Sequence, residues 1–123
     1  MMRQNAHINP RQRSDLRRRL LARGHELNDE IESGLRSRRL HEEPFDAPSI
    51  GEAAVAISDV QRDAGELREV VAALARIDTG VYGLCVDCGS PLPFVRLDAV
   101  PHAARCIDCE KQHERAGASP VSL

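Results

Sequence analysis

The sequence predicts a mostly α fold, in which an antiparallel two-helix coiled-coil hairpin precedes a small cysteine-rich module and a short C-terminal helix. Two observations predict the hairpin: apolar residues recur at helical spacing in two long segments, and a proline-bounded turn from Pro44 to Pro48 separates them. A third observation predicts the cysteine-rich module: all four cysteines fall in two close pairs after both segments. With only two Phe, one Tyr and no Trp in 123 residues, the chain lacks the large side chains of a thick single core.

The first helix is predicted to begin at Asn9-Pro10, because an asparagine caps the helix and proline fits its first position. Gly24 and Gly34 each weaken the helix by about 1 kcal/mol relative to alanine. They either permit close approach of a partner helix or are simply tolerated, and we favour the second interpretation. One apolar stripe runs along the helix: Leu16, Leu20, Leu27, Ile31 and Leu35.

The second helix is predicted to start at a capping box formed by Ser49 and Glu52 and to end near Thr79-Gly80. Its predicted seam alternates steps of three and four: Ile57, Val60, Ala64, Leu67, Val71 and Leu74. Two such helices joined by a short turn fold back on each other, giving arms of about 45 Å. The predicted hairpin covers residues 9–80, with its tip at about 42–52 and a flexible N-terminus at 1–8.

The cysteines form the pattern C-x2-C, x17, C-x2-C, in which Cys85 and Cys88 are the first pair and Cys106 and Cys109 the second. This spacing is typical of a structural zinc site, since four thiolates close a tetrahedron and leave no coordination site open. Two disulfides would instead require an oxidising compartment, and Met1 to Arg23 shows no apolar signal segment. We therefore expect one Zn²⁺ ion in an intracellular protein without a membrane span.

The zinc module is predicted at 81–116, including a short polar helix after Cys109, and a flexible tail at 117–123. Pro91, Pro93 and Pro101 leave room only for short strands or turns between the cysteine pairs. Tyr82 is expected to pack against the module. His102 and His113 are not expected to bind zinc, and Asp87 and Asp108 are expected to be exposed between the paired cysteines.

Charge is distributed unevenly, although the formal net charge is only −2. Met1 to Arg23 holds seven arginines and one acid, Asp15, whereas the charge balance from Gly24 to Asp78 is acidic. This mixture excludes a simple polycation that binds nucleic acid along its whole length. No catalytic grouping or phosphate-binding glycine loop occurs, and the expected metal site is closed, so we do not expect an enzyme.

The module resembles the zinc finger of the DksA/TraR family of bacterial transcription regulators. The resemblance rests on Tyr82-Gly83 before the first cysteine, the glycine after the second, the run Arg96-Leu-Asp-Ala-Val-Pro101 and the final cysteine pair. The family's tip pattern is Asp-x-x-Asp-x-Ala. Here Glu43 stands at the first aspartate, Asp46 matches the second, and Pro48 replaces the alanine.

The resemblance implies a monomeric cytoplasmic regulator that binds RNA polymerase without recognising a DNA sequence. Members insert the hairpin into the polymerase's secondary channel, where the tip acts near the catalytic magnesium. Glu43 and Asp46 are therefore the predicted effector residues, and a nucleotide alarmone is a candidate ligand. Four arginines are candidate contacts for the partner or effector: Arg17, Arg18, Arg19 and Arg96.

Two other functions remain open on the sequence alone. In one, the protein is a zinc-ribbon adaptor or nucleic-acid-binding module that uses its basic N-terminal helix, and the acidic turn is inert. In the other, it is a thiol-based redox sensor that releases zinc on oxidation. Salt-dependent DNA binding would support the first, and zinc release by mild peroxide the second.

Overall fold

The computed structural model describes residues 8–41 and 50–118. Within these ranges the only β pairing is an isolated antiparallel bridge between Leu84 and Pro91. The predicted mostly α fold class is confirmed. The helices follow in the order α1 (Pro10–His41), α2 (Ile50–Thr79), α3 (Phe94–Ala99) and α4 (Ile107–Ala118).

Helix α1 begins at the predicted residue and carries a reciprocal cap. The backbone N–H of Gln12 donates to Asn9 Oδ1 at 2.7 Å, and the backbone N–H of Asn9 donates to Gln12 Oε1 at 3.0 Å. Two N–H groups that the helix cannot satisfy internally are thereby paired. Ile8, which we had placed in the flexible segment 1–8, is only 2 % exposed and belongs to the core.

Helix α2 ends as predicted, in a glycine-dependent cap. Gly80 has φ +80°, a conformation that costs other residues steric strain. The N–H of Gly80 donates to Ile77 O at 3.2 Å, and the N–H of Val81 donates to Arg76 O at 3.0 Å. These are the two hydrogen bonds of a Schellman motif, and they turn the chain directly into the cysteine module.

The two long helices are antiparallel and pack along the predicted stripe of α1. Leu16 and Leu27 are 0 % exposed and Leu20 is 1 % exposed, whereas Leu35, nearer the turn, is 39 % exposed. On α2, Val70 lies opposite Gly24 and Val60 lies opposite Gly34. Burial is therefore concentrated at the end of the hairpin next to the cysteines.

The seam of α2 differs from the prediction by one register. Val71 is 56 % exposed and Ile57 is 36 % exposed, while Val70 and Ala73 are fully buried. The placement of Val71 and Ile57 in the seam was therefore wrong. Two heptad registers share Val60, Leu67 and Leu74. The adjacent Val70 and Val71 each fit one of these registers, so the sequence pattern does not distinguish them. The capping box predicted upstream involves Ser49, which lies outside the described residues.

A single core joins the hairpin base to the cysteine module. Its module side includes Tyr82, Leu92 and Leu97, all 0 % exposed. Leu97 lies on α3, a helix that we did not predict. The expectation of only strands or turns was wrong there because Pro93 precedes the helix and Pro101 follows it, so the prolines bound a short helix instead of interrupting it. Helix α4 runs to Ala118, beyond the predicted end of the module at 116.

The two helical glycines should respond in opposite directions to alanine. A Cβ at Gly24 would lie 3.7 Å from Val70 Cγ1, an ordinary contact, so Gly24→Ala should stabilise the protein by up to about 1 kcal/mol. A Cβ at Gly34 would lie 2.7 Å from Val60 Cγ2, and valine has one strongly preferred rotamer in a helix. Gly34→Ala should therefore destabilise by about 1–3 kcal/mol.

Urea unfolding of the zinc-loaded variants measures both effects. Our interpretation of Gly34 as merely tolerated was wrong on this geometry, whereas Gly24 fits it. Equal stabilisation by the two substitutions would contradict the close helix approach at Gly34.

Candidate metal centre

The four cysteine sulfurs converge as the spacing predicted. All four lie within 4.8 Å of one another, and the sulfurs of Cys88 and Cys106 are 3.9 Å apart. A tetrahedral Zn²⁺ ion with Zn–S bonds of about 2.3 Å requires sulfurs about 3.8 Å apart. The donor set and its spacing therefore fit one structural zinc ion.

Local backbone geometry presents each pair of thiols. In the first pair, the N–H of Gly89 donates to Cys85 O at 2.9 Å, and Gly89 has φ +77°, so the chain turns sharply just after Cys88. The second pair lies at the start of α4, where the N–H of Glu110 donates to Cys106 O at 2.9 Å. A tight turn and a first helical turn both bring residues three apart together, which explains the shared C-x2-C spacing.

The thiols are arranged to receive a cation. Burial opposes ionisation of Cys85, but backbone hydrogen bonds from Cys88 and Cys106 outweigh it and lower the pKa of Cys85 to about 6. The neighbouring Cys106 sulfur, followed by burial, raises the pKa of Cys109. Clustered thiolates disfavour one another, so full deprotonation depends on a bound metal, and zinc binding releases protons.

Two arginines hold the halves of the module together. Arg105 Nε donates to Asp87 Oδ2 at 2.8 Å and so connects the two cysteine pairs. Arg96 Nε, on α3, donates to the backbone oxygen of Arg105 at 2.9 Å. Arg96 therefore has a structural contact within the module.

Tyr82 is a packing residue, as predicted. Its ring is fully buried, and its hydroxyl donates to Pro101 O at 2.9 Å. Burial raises the pKa of Tyr82 to about 12, and the positive charge of Arg76 opposes this shift only partly. The tyrosine thus ties the start of the module to the chain that follows α3.

Polar contacts fix the module to both helices of the hairpin. Arg19 Nη1 donates to Asp98 Oδ1 at 2.8 Å, joining α1 to α3. His102 Nε2 lies 3.6 Å from Glu69 Oε1 on α2. Because these contacts reach both helices and surround the shared core, the module holds the base of the hairpin in a defined orientation.

The candidate arginines of α1 do not form one surface. Arg19 contacts α3, Arg18 forms an ion pair with Asp15, and Arg17 is exposed. On a helix, Arg11 and Arg18 share one face, whereas Arg13 and Arg17 share another. The arginines of α1 therefore do not form one continuous basic stripe.

Sequence reasoning missed a cavity of about 390 Å³ between α2 and the module. Arg76, Arg96 and Arg105 line it together with two histidines and two glutamates: His102, His113, Glu69 and Glu110. Arg76 Nε is buried without a hydrogen-bond partner, and burial lowers the pKa of Arg76. No spacing rule marks this site, because its arginines come from α2, α3 and a loop that only the fold brings together.

Glu66 makes the strongest described polar link between the helices. It accepts from Arg23 Nε at 2.8 Å and from Arg23 Nη2 at 2.9 Å. These hydrogen bonds lower the pKa of Glu66 below its ordinary value of 4.5. Its contribution to stability is therefore complete above pH 4.5 and is lost as the pH falls through the lowered pKa.

Glu66→Gln should destabilise the protein at pH 7 by about 1 kcal/mol, a modest value because both side chains are partly exposed. The difference from wild type in free energy of unfolding should shrink as the pH falls below 4.5. Chemical unfolding across pH measures it, and zinc loss on acidification affects both proteins alike. A constant difference down to pH 3 would show that the carboxylate charge is not responsible.

Glu43 and Asp46, the predicted tip residues, lie outside the described residues. Among the residues that the structure does describe, none of the helices combines the length and the apolar character needed to span a lipid bilayer. The geometry thus defines a helical hairpin fixed to a cysteine-bound zinc module.

Comparison with known proteins assigns this module to a family. Residues 80–115 match the family described as "Prokaryotic dksA/traR C4-type zinc finger". The "RNA polymerase-binding transcription factor DksA" of Caulobacter vibrioides is 40 % identical over 43 residues, 35 % of this chain and 30 % of that protein. "General stress protein 16O" of Bacillus subtilis is 38 % identical over 48 residues, 39 % of this chain and 29 % of that protein. The matched stretches thus span about a third of this chain and of these relatives.

The likeness in three dimensions extends over most of the chain. The transcription factor DksA2 from Pseudomonas aeruginosa has a TM-score of 0.75 and 26 % sequence identity, covering 89 % of this chain and 88 % of that one. The predicted resemblance is confirmed. Residues 80–115 are a DksA/TraR C4-type zinc finger, and the hairpin with its zinc base has the DksA fold.

Proposed function

We propose that the protein is an accessory transcription regulator that docks directly on RNA polymerase and modulates initiation by inserting its hairpin into the secondary channel. The observation that supports this most is the likeness to DksA2 over 89 % of the chain, which includes the hairpin as well as the zinc finger. The relative in C. vibrioides carries polymerase binding in its name. The protein acts as a monomer and performs no chemistry of its own.

The shape suits insertion into a channel. Helices of 32 and 30 residues give a rod about 45 Å long and only two helices wide. Its base is fixed by the zinc module, so the far end can be placed at a set distance from the docking surface. Glu43 and Asp46 are the proposed effectors, since carboxylates are ligands that Mg²⁺ prefers.

The cavity at the base offers a site for an effector. Three arginines from three separate segments face it, and arginine binds phosphate through paired N–H donors. We propose that a nucleotide alarmone binds in this cavity. Arg96 lines the cavity and also donates a hydrogen bond to the backbone oxygen of Arg105.

The tip is tested by the double substitution Glu43→Gln and Asp46→Asn, which removes both charges and keeps the shape of the side chains. In vitro transcription with stoichiometric polymerase should lose the regulatory effect by about tenfold or more, while polymerase binding stays within about twofold. Glu42→Gln is the matched control, because it removes a neighbouring charge outside the tip pattern.

Full regulation by the double variant would reject the tip residues as effectors. Loss of polymerase binding in that variant would contradict the proposal that the base of the protein binds polymerase and the tip only regulates it. Retention of polymerase binding at high salt separates docking from nucleic-acid attraction, which falls steeply with salt.

A further inference from the structure

The hairpin divides into two halves that differ in packing. The base half comprises α1 up to Leu27 and α2 from Glu66; the outer half comprises residues 28–41 and 50–65. Among the described side chains of the outer half, at 28–37 and 57–65, none is fully buried. The base half contains five residues that are at most 1 % exposed: Leu16, Leu20, Leu27, Val70 and Ala73.

The seam of the outer half combines the partly buried Ile31 and Val60 with small and polar residues. Seven residues before Val70 stands Asp63, which therefore takes a position that faces α1 and is partly buried. Asp63 lines a surface cavity of about 560 Å³ between the helices, together with Ser33, Gly34 and Ser37. The close approach of Val60 to Gly34 depends on the missing side chain of glycine.

Charge does not compensate for this thin packing. Acidic residues from both helices border the cavity, including Asp29 and Asp63, and the ion pair between Arg62 and Asp59 lies within α2. Among the side chains that the structure describes at 28–37 and 57–65, no ion pair joins α1 to α2. Arg62 also lines this cavity, and its ion pair is with Asp59 of its own helix.

We propose that the outer half is a separate, weakly stable unit that opens while the base half and the zinc module stay folded. Local opening needs less free energy where few apolar contacts are broken, and here the boundary falls at Leu27 on α1 and Glu66 on α2. Two helical arms that lose contact together open as one unit, since neither has another surface to pack against.

A consequence for regulation rests on the proposed function. If the closed arm is the form that enters polymerase, the apparent affinity is the affinity of the closed form multiplied by the fraction of molecules that are closed. Substitutions that fill the outer seam should then increase the apparent affinity for polymerase, although the substituted side chains do not contact polymerase.

Hydrogen exchange of the full-length, zinc-loaded protein without polymerase tests the opening by itself. Amides at 29–36 and 57–64 should exchange about 100-fold or more faster than those at 16–27 and 66–77, with one common opening rate across both arms. Protection that is equal in both halves would overturn the proposal. So would a smooth gradient from the turn inward, which indicates simple fraying of helix ends.

Filling the seam provides a second readout. Asp63→Leu should slow exchange in the outer half by about tenfold or more and leave the base half unchanged. Glu32→Leu is the control, because it introduces the same leucine at an exposed acidic residue of the outer half that does not line the cavity; it should slow exchange less than about threefold. Equal effects of the two substitutions would contradict the assignment of Asp63 to the seam.

Discussion

Cys106→Ser should remove zinc, unfold the cysteine module and destabilise the hairpin base, which shares its core with the module. Structural zinc contributes about 10–16 kcal/mol of apparent binding free energy in zinc-finger peptides, which is as large as the whole stability of a typical domain. The module cannot replace that contribution, because its own buried side chains are few and are shared with the hairpin base. We expect the thermal midpoint to fall by about 15 °C or more.

Zinc content and circular dichroism measure this result. Ser90→Ala is the matched control, since Ser90 Oγ lies 3.3 Å from the Cys88 sulfur but is not a ligand. It should retain one zinc per chain and lose about 1 kcal/mol or less. A Cys106→Ser protein that keeps both its zinc and its thermal midpoint would contradict the assignment of the metal centre.

Tyr82→Ala should cause the largest loss of stability that a substitution outside the zinc ligands produces. The side chain is fully buried at the junction of α2 and the module, so truncation leaves a cavity and an unpaired Pro101 carbonyl. The expected cost is about 3–5 kcal/mol. Tyr82→Phe keeps the ring and loses only the hydrogen bond, at about 1 kcal/mol.

Urea unfolding of the zinc-loaded variants separates the cost of lost packing from the cost of the lost hydrogen bond. Both proteins should still bind zinc, because the Tyr82 hydroxyl donates to Pro101 O and not to a cysteine sulfur. Similar losses for the two variants would mean that the hydrogen bond, rather than packing, stabilises the junction.

The zinc site and the apolar stripe of α1 could be predicted because each depends on spacing along the chain. Cysteines three apart meet on one turn whatever surrounds them, and Leu16, Leu20 and Leu27 share a face of any helix. The seam of α2 was harder, since Val70 and Val71 fit alternative registers equally well. Only packing against Gly24 selects Val70.

The polar contacts could not be predicted from spacing. Arg19 is one of a run of arginines in sequence, yet it alone meets Asp98, 79 residues away. The cavity lined by Arg76, Arg96 and Arg105 likewise exists only after the module folds onto α2. Charge patterns therefore indicated basic character, but not which arginines stabilise the fold and which remain available to a partner.

The central proposal is that a zinc-fixed base places the turn of the hairpin inside RNA polymerase. Site-specific photo-crosslinking from position 46, with position 111 on exposed α4 as the comparison, tests this most directly in the assembled complex. The proposal predicts that position 46 crosslinks to residues lining the secondary channel, near the catalytic magnesium, and that position 111 does not. Crosslinks from position 46 confined to the outer surface of polymerase would contradict it.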